Sequence, residues 1–215
     1  LLHLISDILD LSKIESGTVT VDSEDIAFSH LRENIERSFR HEAERRALQF
    51  SVDFESDLGR ALSTDPKRLQ QILKNLLSNA LKFTEQGSVR LSARVARTGW
   101  TSNHPILDHA PTVVAFEVSD TGIGISPEKQ KIVFEAFQQA DAGTSRQYGG
   151  TGLGLAISRE IAGLLGGELR LHSAPGKGST FTLYLPLNYV GAQLDHEQQA
   201  APMLHHHAHA HASTS

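Results

Sequence analysis

The chain of 215 residues contains no cysteine, so disulfides, thiolate nucleophiles and thiolate metal sites are excluded. Tryptophan and methionine occur once each and aromatic residues make up 6%, which leaves aliphatic side chains to build the core. No apolar run approaches the roughly 20 residues needed to span a bilayer. There is no basic excess: the formal charge is −5 and the pI about 6.2, which argues against a nucleic-acid binder. A phosphate loop of the Walker type is missing, because Gly176 and Lys177 are followed by Gly178 rather than Ser or Thr. Eukaryotic-type protein-kinase signatures are missing as well. What is present, at 39% hydrophobic and 21% charged residues, is enough to fold.

The organisation reads as helices alternating with strands. Residues 1–15 place Leu1, Leu4, Ile5, Ile8, Leu11 and Ile14 on one helical stripe, closed by Gly17. The stripe is expected to meet a partner helix that lies outside this chain, so the sequence reads as part of something longer. Thr18–Asp22 alternates like a strand, Ile26 to about Leu48 is a charged helix with Leu31, Ile35 and Phe39 inward, and Gln49–Phe54 alternates again. Asp65-Pro66 opens a helix that runs to Phe83. Strands are expected at Ser88–Arg97 and Thr112–Ser119, a helix at Pro127–Phe137, and a helix at Thr151–Leu165 ending at Gly166-Gly167. Glu168–Ser173 and Ser179–Leu185 read as a hairpin. The predicted fold class is α/β (α+β): a two-layer α/β sandwich with a mixed, mostly antiparallel sheet, preceded by a helix fragment. After Pro186 the pattern dissolves, and residues 191–215, rich in Ala, Gln and His, read as a disordered linker or tail.

Four boxes carry the chemistry. On the helix from Pro66, Asn75, Asn79 and Lys82 are spaced i, i+4, i+7 and share one face, apart from the apolar set Leu69, Ile72, Leu73, Leu76, Leu77, Ala80 and Leu81. Two carboxamides and an ammonium suit Mg²⁺ and phosphates, though a solvated polar face would look the same. Asp120-Thr-Gly122-Ile-Gly124 follows an apolar strand, where a carboxylate can accept from an adenine amino group and glycines allow close approach; a capped tight turn is the plainer alternative. Gly149–Gly154 opens a helix whose free N–H groups can bind phosphate, or is simply a flexible cap. The segment Ala140–Tyr148 before it reads as a lid, with Arg146 as its one strong cation. The fourth box is Gly176–Phe181. In the tail, His205–His207, His209 and His211 could bind Zn²⁺ or Ni²⁺ adventitiously, or be a biased linker or tag remnant.

With these residues in view, the chain resembles the catalytic ATP-binding domain of bacterial sensor histidine kinases, which share the Bergerat nucleotide fold with type II topoisomerases and heat-shock chaperones. Asn75–Thr84 is similar to the N box, Asp120–Ile125 to G1, Val133–Gln138 to the F box, Gly149–Leu155 to G2 and Gly176–Phe181 to G3. The Phe137-Gln138-Gln139 form is most like that of hybrid kinases. The resemblance spans about residues 18–187, while residues 1–17 look like the end of the dimerisation and phosphoacceptor helices and 188–215 form the tail.

The resemblance implies ATP and Mg²⁺ as ligands. It implies Asn79 as the metal ligand, Asn75 as support for the triphosphate, and Lys82 and Arg146 as neutralisers of phosphate charge. Phe83 would lie against the nucleotide. Asp120 would hold the adenine amino group within the turn of Gly122 and Gly124, with Thr180 assisting through water. Gly150, Thr151, Gly152, Leu153 and Gly154 would line the phosphates. Asn75 stands where hydrolysing relatives carry a basic Glu, and a carboxamide cannot take a proton at neutral pH, which favours phosphoryl transfer over hydrolysis. The acceptor box is absent: His41-Glu42 and His196-Glu197 share only its first pair, and His3 not even that. Implied partners are the protein's own dimerisation domain, a response-regulator receiver and a second copy in a homodimer. The implied location is the cytoplasm, with the parent protein anchored at the inner membrane or not. A Bergerat ATPase clamp and a non-catalytic nucleotide-binding module are the competing readings.

Overall fold

The computed structural model describes residues 2–137 and 151–191. The predicted lid with Arg146 and Gly150, and the histidine-rich tail, lie outside them. Helix α1 (Leu2–Glu15) is followed by β1 (Glu24–Ala27), α2 (Phe28–Arg45), β2 (Gln49–Phe54) and β3 (Ala61–Thr64). Then come α3 (Pro66–Lys82), β4 (Ser88–Ala96), β5 (Val113–Asp120), a one-turn α4 (Pro127–Gln130), α5 (Gly154–Leu164), β6 (Glu168–Ala174) and β7 (Gly178–Pro186). The main sheet runs in the order β2-β4-β5-β7-β6, with β2 and β4 parallel and all other neighbours antiparallel. Strands β1 and β3 form a separate antiparallel pair.

The predicted two-layer arrangement with a mostly antiparallel sheet is the one observed. Period-2 alternation sends one set of side chains from every strand to the helical layer. Val52, Leu91, Val118, Phe181 and Leu171 form one row across all five strands, and Phe54, Ala93, Phe116, Leu183 and Leu169 form the next. Against these rows α3 buries Leu69, Ile72, Leu73, Leu76, Leu77, Ala80 and Leu81, and α5 buries Ile157, Ile161 and Ala162. A fully buried Leu is worth roughly 1.5–3 kcal/mol relative to an exposed one, so α3 is the main clamp on the sheet. The opposite face is covered at one end, where Trp100, Leu107 and Ala110 pack on Ala96, Val113, Ala115 and Tyr184.

Several expectations need correction. Thr18–Asp22 is not a strand: it has no ladder partner, and the Asp22 N–H donates instead to Asp65 Oδ2 at 3.1 Å. Ile26 belongs to β1, so α2 starts two residues later than expected. The helix expected over Pro127–Phe137 stops at Gln130. Bonds from the Ile132 N–H to Lys129 and from the Glu135 N–H to Ile132 tighten the chain into three-residue turns, and Phe137 adopts φ 64°. The helix expected from Thr151 begins at Gly154. Past Pro186 the chain stays ordered a little further, because the N–H of Ser63 donates to Leu187 O and that of Tyr189 to Ser63 O, both at 2.9 Å.

The α1 stripe divides. Leu4, Leu11 and Ile14 pack on the core, while Ile5, Ile8 and Leu9 are exposed. Gly17, at φ 67°, closes α1 with N–H bonds from Gly17 to Ile14 O and from Thr18 to Lys13 O, the paired pattern of a left-handed cap. Among the described residues, no helix is long and apolar enough to cross a membrane.

Candidate functional site

The site forms where the sheet's helical face runs out. The row beyond Val118 is Val89, Asp120, Ser179 and Ser173, so a carboxylate and two hydroxyls replace aliphatic side chains at the strand ends. Asp120 Oδ1 accepts from the Gly122 N–H at 2.8 Å. Burial pushes its carboxyl above the usual range, and the N–H groups of Gly122 and Ser179 pull part of the way back. The turn after it is locked from both sides. A Cβ on Gly122 would come within 2.2 Å of Phe83 O, and one on Gly124, at φ 68°, within 2.0 Å of Ala174 O. The Ile123 N–H donates to Phe83 O at 3.3 Å, joining the end of α3 to this turn.

Register settles which hydroxyl faces Asp120. Ser179 pairs with Asp120, whereas Thr180 pairs with Ser119 on the opposite face, where the two hydroxyls are 2.9 Å apart. Thr180 is therefore displaced from the site, and Ser179, missed by sequence reasoning, takes its place. Counting back in twos from the core residues Leu185, Leu183 and Phe181 reaches Ser179, so the signal was present. The Ser179 hydroxyl lies 2.9 Å from that of Ser173, which also receives the Ile125 N–H at 2.8 Å and donates to Gly178 O. Gln130 completes this latch: its amide donates to Ile125 O at 2.7 Å and to Ser173 O at 2.9 Å.

The other half of the site lies between α3 and α5. Asp65 starts α3 by accepting from the Arg68 N–H, with Pro66 in the first turn. This start puts Asn75, Asn79 and Lys82, all half-buried, along the seam beside the apolar face. The Asn75 amide donates to Ser158 Oγ on α5 at 2.9 Å, and a Cβ on Gly154 would come 2.3 Å from Asn75 Oδ1. Asn79 makes no side-chain hydrogen bond among the described residues, which leaves a hard carboxamide oxygen available. Burial pulls the Lys82 ammonium below the usual lysine range, and its Nζ sits 5.0 Å from the Phe83 ring centroid. Leu153, fully buried, anchors the start of α5 and supplies no side-chain cap. The first N–H groups of α5 therefore have no intrahelical partner, an arrangement suited to anions. Gly152, at φ 71°, accepts from the Phe137 N–H at 3.0 Å, while Phe134 stacks edge-on against Phe181 at 6.1 Å.

Helix α1 also reaches this half. Thr151 donates its hydroxyl to Asp7 Oδ2 at 3.2 Å and receives the Leu153 N–H. Asp10 accepts from Gln71 at 3.2 Å and lies 3.7 Å from Arg68. Of the predicted site residues, the structure thus gathers Asn75, Asn79, Lys82, Phe83, Asp120, Gly122, Gly124, Thr151, Gly152, Leu153 and Gly154. It turns Thr180 away, and Arg146 and Gly150 lie outside the described residues.

A half-buried carboxylate at a strand end, an uncapped glycine-led helix and a polar ladder between them are the parts of one recognised family. Residues 64–189, more than half of the chain, match the model described as "Histidine kinase-, DNA gyrase B-, and HSP90-like ATPase". The chain belongs to this family. It is 45% identical to the circadian input-output histidine kinase CikA of Synechococcus elongatus over 86% of this chain and 23% of CikA. It is 38% identical to the autoinducer 2 sensor kinase/phosphatase LuxQ of Vibrio parahaemolyticus over 94% of this chain and 23% of LuxQ. Full-length ShkA, solved in complex with AMPPNP, superposes with a TM-score of 0.69 at 28% identity, covering 86% of this chain and 35% of ShkA. The chain thus spans under a quarter of the length of these two sensor-kinase relatives.

Proposed function

We propose that this chain is the ATP-binding catalytic domain of a two-component sensor histidine kinase. The observation that carries the reading is the polar ladder of α3 facing the uncapped start of α5, with Asn75 Oδ1 against Gly154, beside a half-buried Asp120 at the other end. Asp120 accepts from the adenine amino group and Ser179 shares that end. The α5 N–H groups and Lys82 receive the phosphates, and the predicted Arg146 adds charge from the lid. AMPPNP in the ShkA complex supports this choice of ligand.

The donor set suits Mg²⁺: Asn79 offers a carboxamide oxygen with no competing partner among the described residues, and the cation would come with the phosphates. When bound, the ion supplies neutralisation of the triphosphate charge. The chain's own residues bind, orient and exclude water. Phosphoryl transfer depends mainly on such positioning and charge stabilisation. The bond between the γ-phosphorus and the bridging oxygen breaks, releasing ADP, and a bond forms to the unprotonated imidazole nitrogen while the other ring nitrogen gives up its proton to water. The accepting histidine is supplied by the dimerisation helices, of which α1 is the end, and the group passes on to a receiver aspartate. Homodimerisation of the parent protein and a cytoplasmic position for this domain belong to the same reading.

Asn75 makes the chain a poor hydrolase, since a carboxamide cannot serve as base for water. The test is to incubate the chain with ATP labelled in the γ-phosphate and a separately supplied dimerisation domain carrying its histidine. Acid-labile label on that domain is expected. ATP binding without transfer would overturn the kinase reading, and brisk steady-state hydrolysis would favour an ATPase clamp.

A further inference from the structure

The buried face that α5 turns toward α3 is apolar except at one point. Among the buried residues of α5 (Ala156, Ile157, Ser158, Ile161 and Ala162), only Ser158 is polar, and it is 1% exposed. A serine inside a helix usually returns its hydroxyl to the carbonyl four residues back, or faces water. Among the described residues Ser158 does neither, and its one side-chain partner is the Asn75 amide at 2.9 Å. Among the described residues that contact is also the one side-chain hydrogen bond of Asn75. With Nδ2 held, the carboxamide turns Oδ1 toward Gly154, where even a Cβ would come within 2.3 Å of it.

A hydroxyl can donate or accept, so the unpaired N–H groups at the start of α5 favour the oxygen at that end while Ser158 takes up the amide at the other, and the choice of end matters. An N–H pointing at the start of α5 would favour bare phosphate oxygens. An oxygen there repels bare phosphate and suits a cation or its water. We propose that Ser158 is a positioning residue: it fixes Asn75 with the oxygen toward the phosphate end, biasing the site toward a nucleotide that carries a divalent cation. This rests on the nucleotide-binding reading above, and Ser158 acts on the ligand only through Asn75.

The test combines two readouts on the whole chain. In the nucleotide-free protein, the side-chain amide signals of Asn75 in a nitrogen–proton NMR spectrum, assigned by their loss in Asn75→Ala, should be displaced from solvent-like values. Ser158→Ala should return them to those values, while Ser158→Thr, which keeps the hydroxyl, should not. By calorimetry, the gain in ATP affinity on adding Mg²⁺ should shrink about tenfold in Ser158→Ala, with metal-free affinity held or improved. In the Asn75→Ala background the same substitution should change nothing further, because coupling vanishes when the partner is gone. Unchanged amide signals in Ser158→Ala, or an equal loss with and without Asn75, overturns the inference. A wild-type chain that binds no nucleotide would instead sink the functional reading, and the NMR arm would still decide whether Ser158 orients Asn75.

Discussion

At the base end of the site, Asp120 stands on a sheet strand and is held by the main-chain N–H groups of Gly122 and Ser179 beside a glycine turn. At the phosphate end, the N–H groups of α5 are joined by side chains along a helix seam, and one of these, the Asn79 carboxamide, has no side-chain hydrogen bond among the described residues. The first end is built by the same hydrogen bonds that hold the fold, and the second is laid on a fold already complete. Damage at the base end should therefore register in stability and binding together wherever backbone is involved. Damage at the phosphate end should register in binding alone.

The largest expected effect comes from removing the carboxylate. Asp120→Ala should weaken ATP binding about a hundredfold, in line with about 3 kcal/mol for a charge-assisted hydrogen bond. The melting temperature should hold or rise, because burial disfavours the ionised group. Gly124→Ala comes next: a Cβ at φ 68° against Ala174 O should cost about 2 kcal/mol of folding stability and loosen nucleotide with it, as read by denaturant unfolding and calorimetry. Asn79→Ala should lower Mg²⁺-dependent ATP affinity about tenfold while stability stays within about 0.5 kcal/mol, a contrast that sharpens the comparison.

Acidity separates the two ends further. The folded pKa of Asp120 is raised, so between the unfolded and folded values the folded chain keeps a proton there that the unfolded chain has lost. That contribution to stability is complete below the unfolded value and disappears as pH rises through the folded one. Base recognition runs the other way, since it needs the ionised carboxylate. ATP affinity should fall on acidification at a pH above that expected of an ordinary aspartate, and the fall should be absent in Asp120→Ala. The smallest effect is expected at α1. Asp7 places a carboxylate against Thr151 in the glycine-rich loop, so Asp7→Asn should tighten ATP about twofold, measurable by competition titration.

Much of this was legible from the residues. The seven apolar positions of α3 and their spacing placed Asn75, Asn79 and Lys82 on one seam, and Asp65-Pro66 marked its start. Alternation in Gln49–Phe54 located β2 to the residue. The difficulties were contacts and lengths that periodicity does not encode. β1 and β3 have four residues each, too few to establish a period, and they pair across an intervening helix and strand. Thr18–Asp22 alternates better than either but has no edge to join. Ser179 and Thr180 are adjacent hydroxyls distinguished only by strand parity. Ser158 and Asn75 meet across 83 positions, and Gln130 clamps two carbonyls that only the assembled loops bring together.

The most direct measurement is a calorimetric titration of ATP into the chain at neutral pH, with and without Mg²⁺, beside Asp120→Ala. Saturable binding to one site, strengthened by Mg²⁺ and lost in Asp120→Ala with the fold retained, is the predicted result. A folded wild-type chain that takes up no ATP, or one whose binding ignores the loss of Asp120, would contradict the nucleotide site described above.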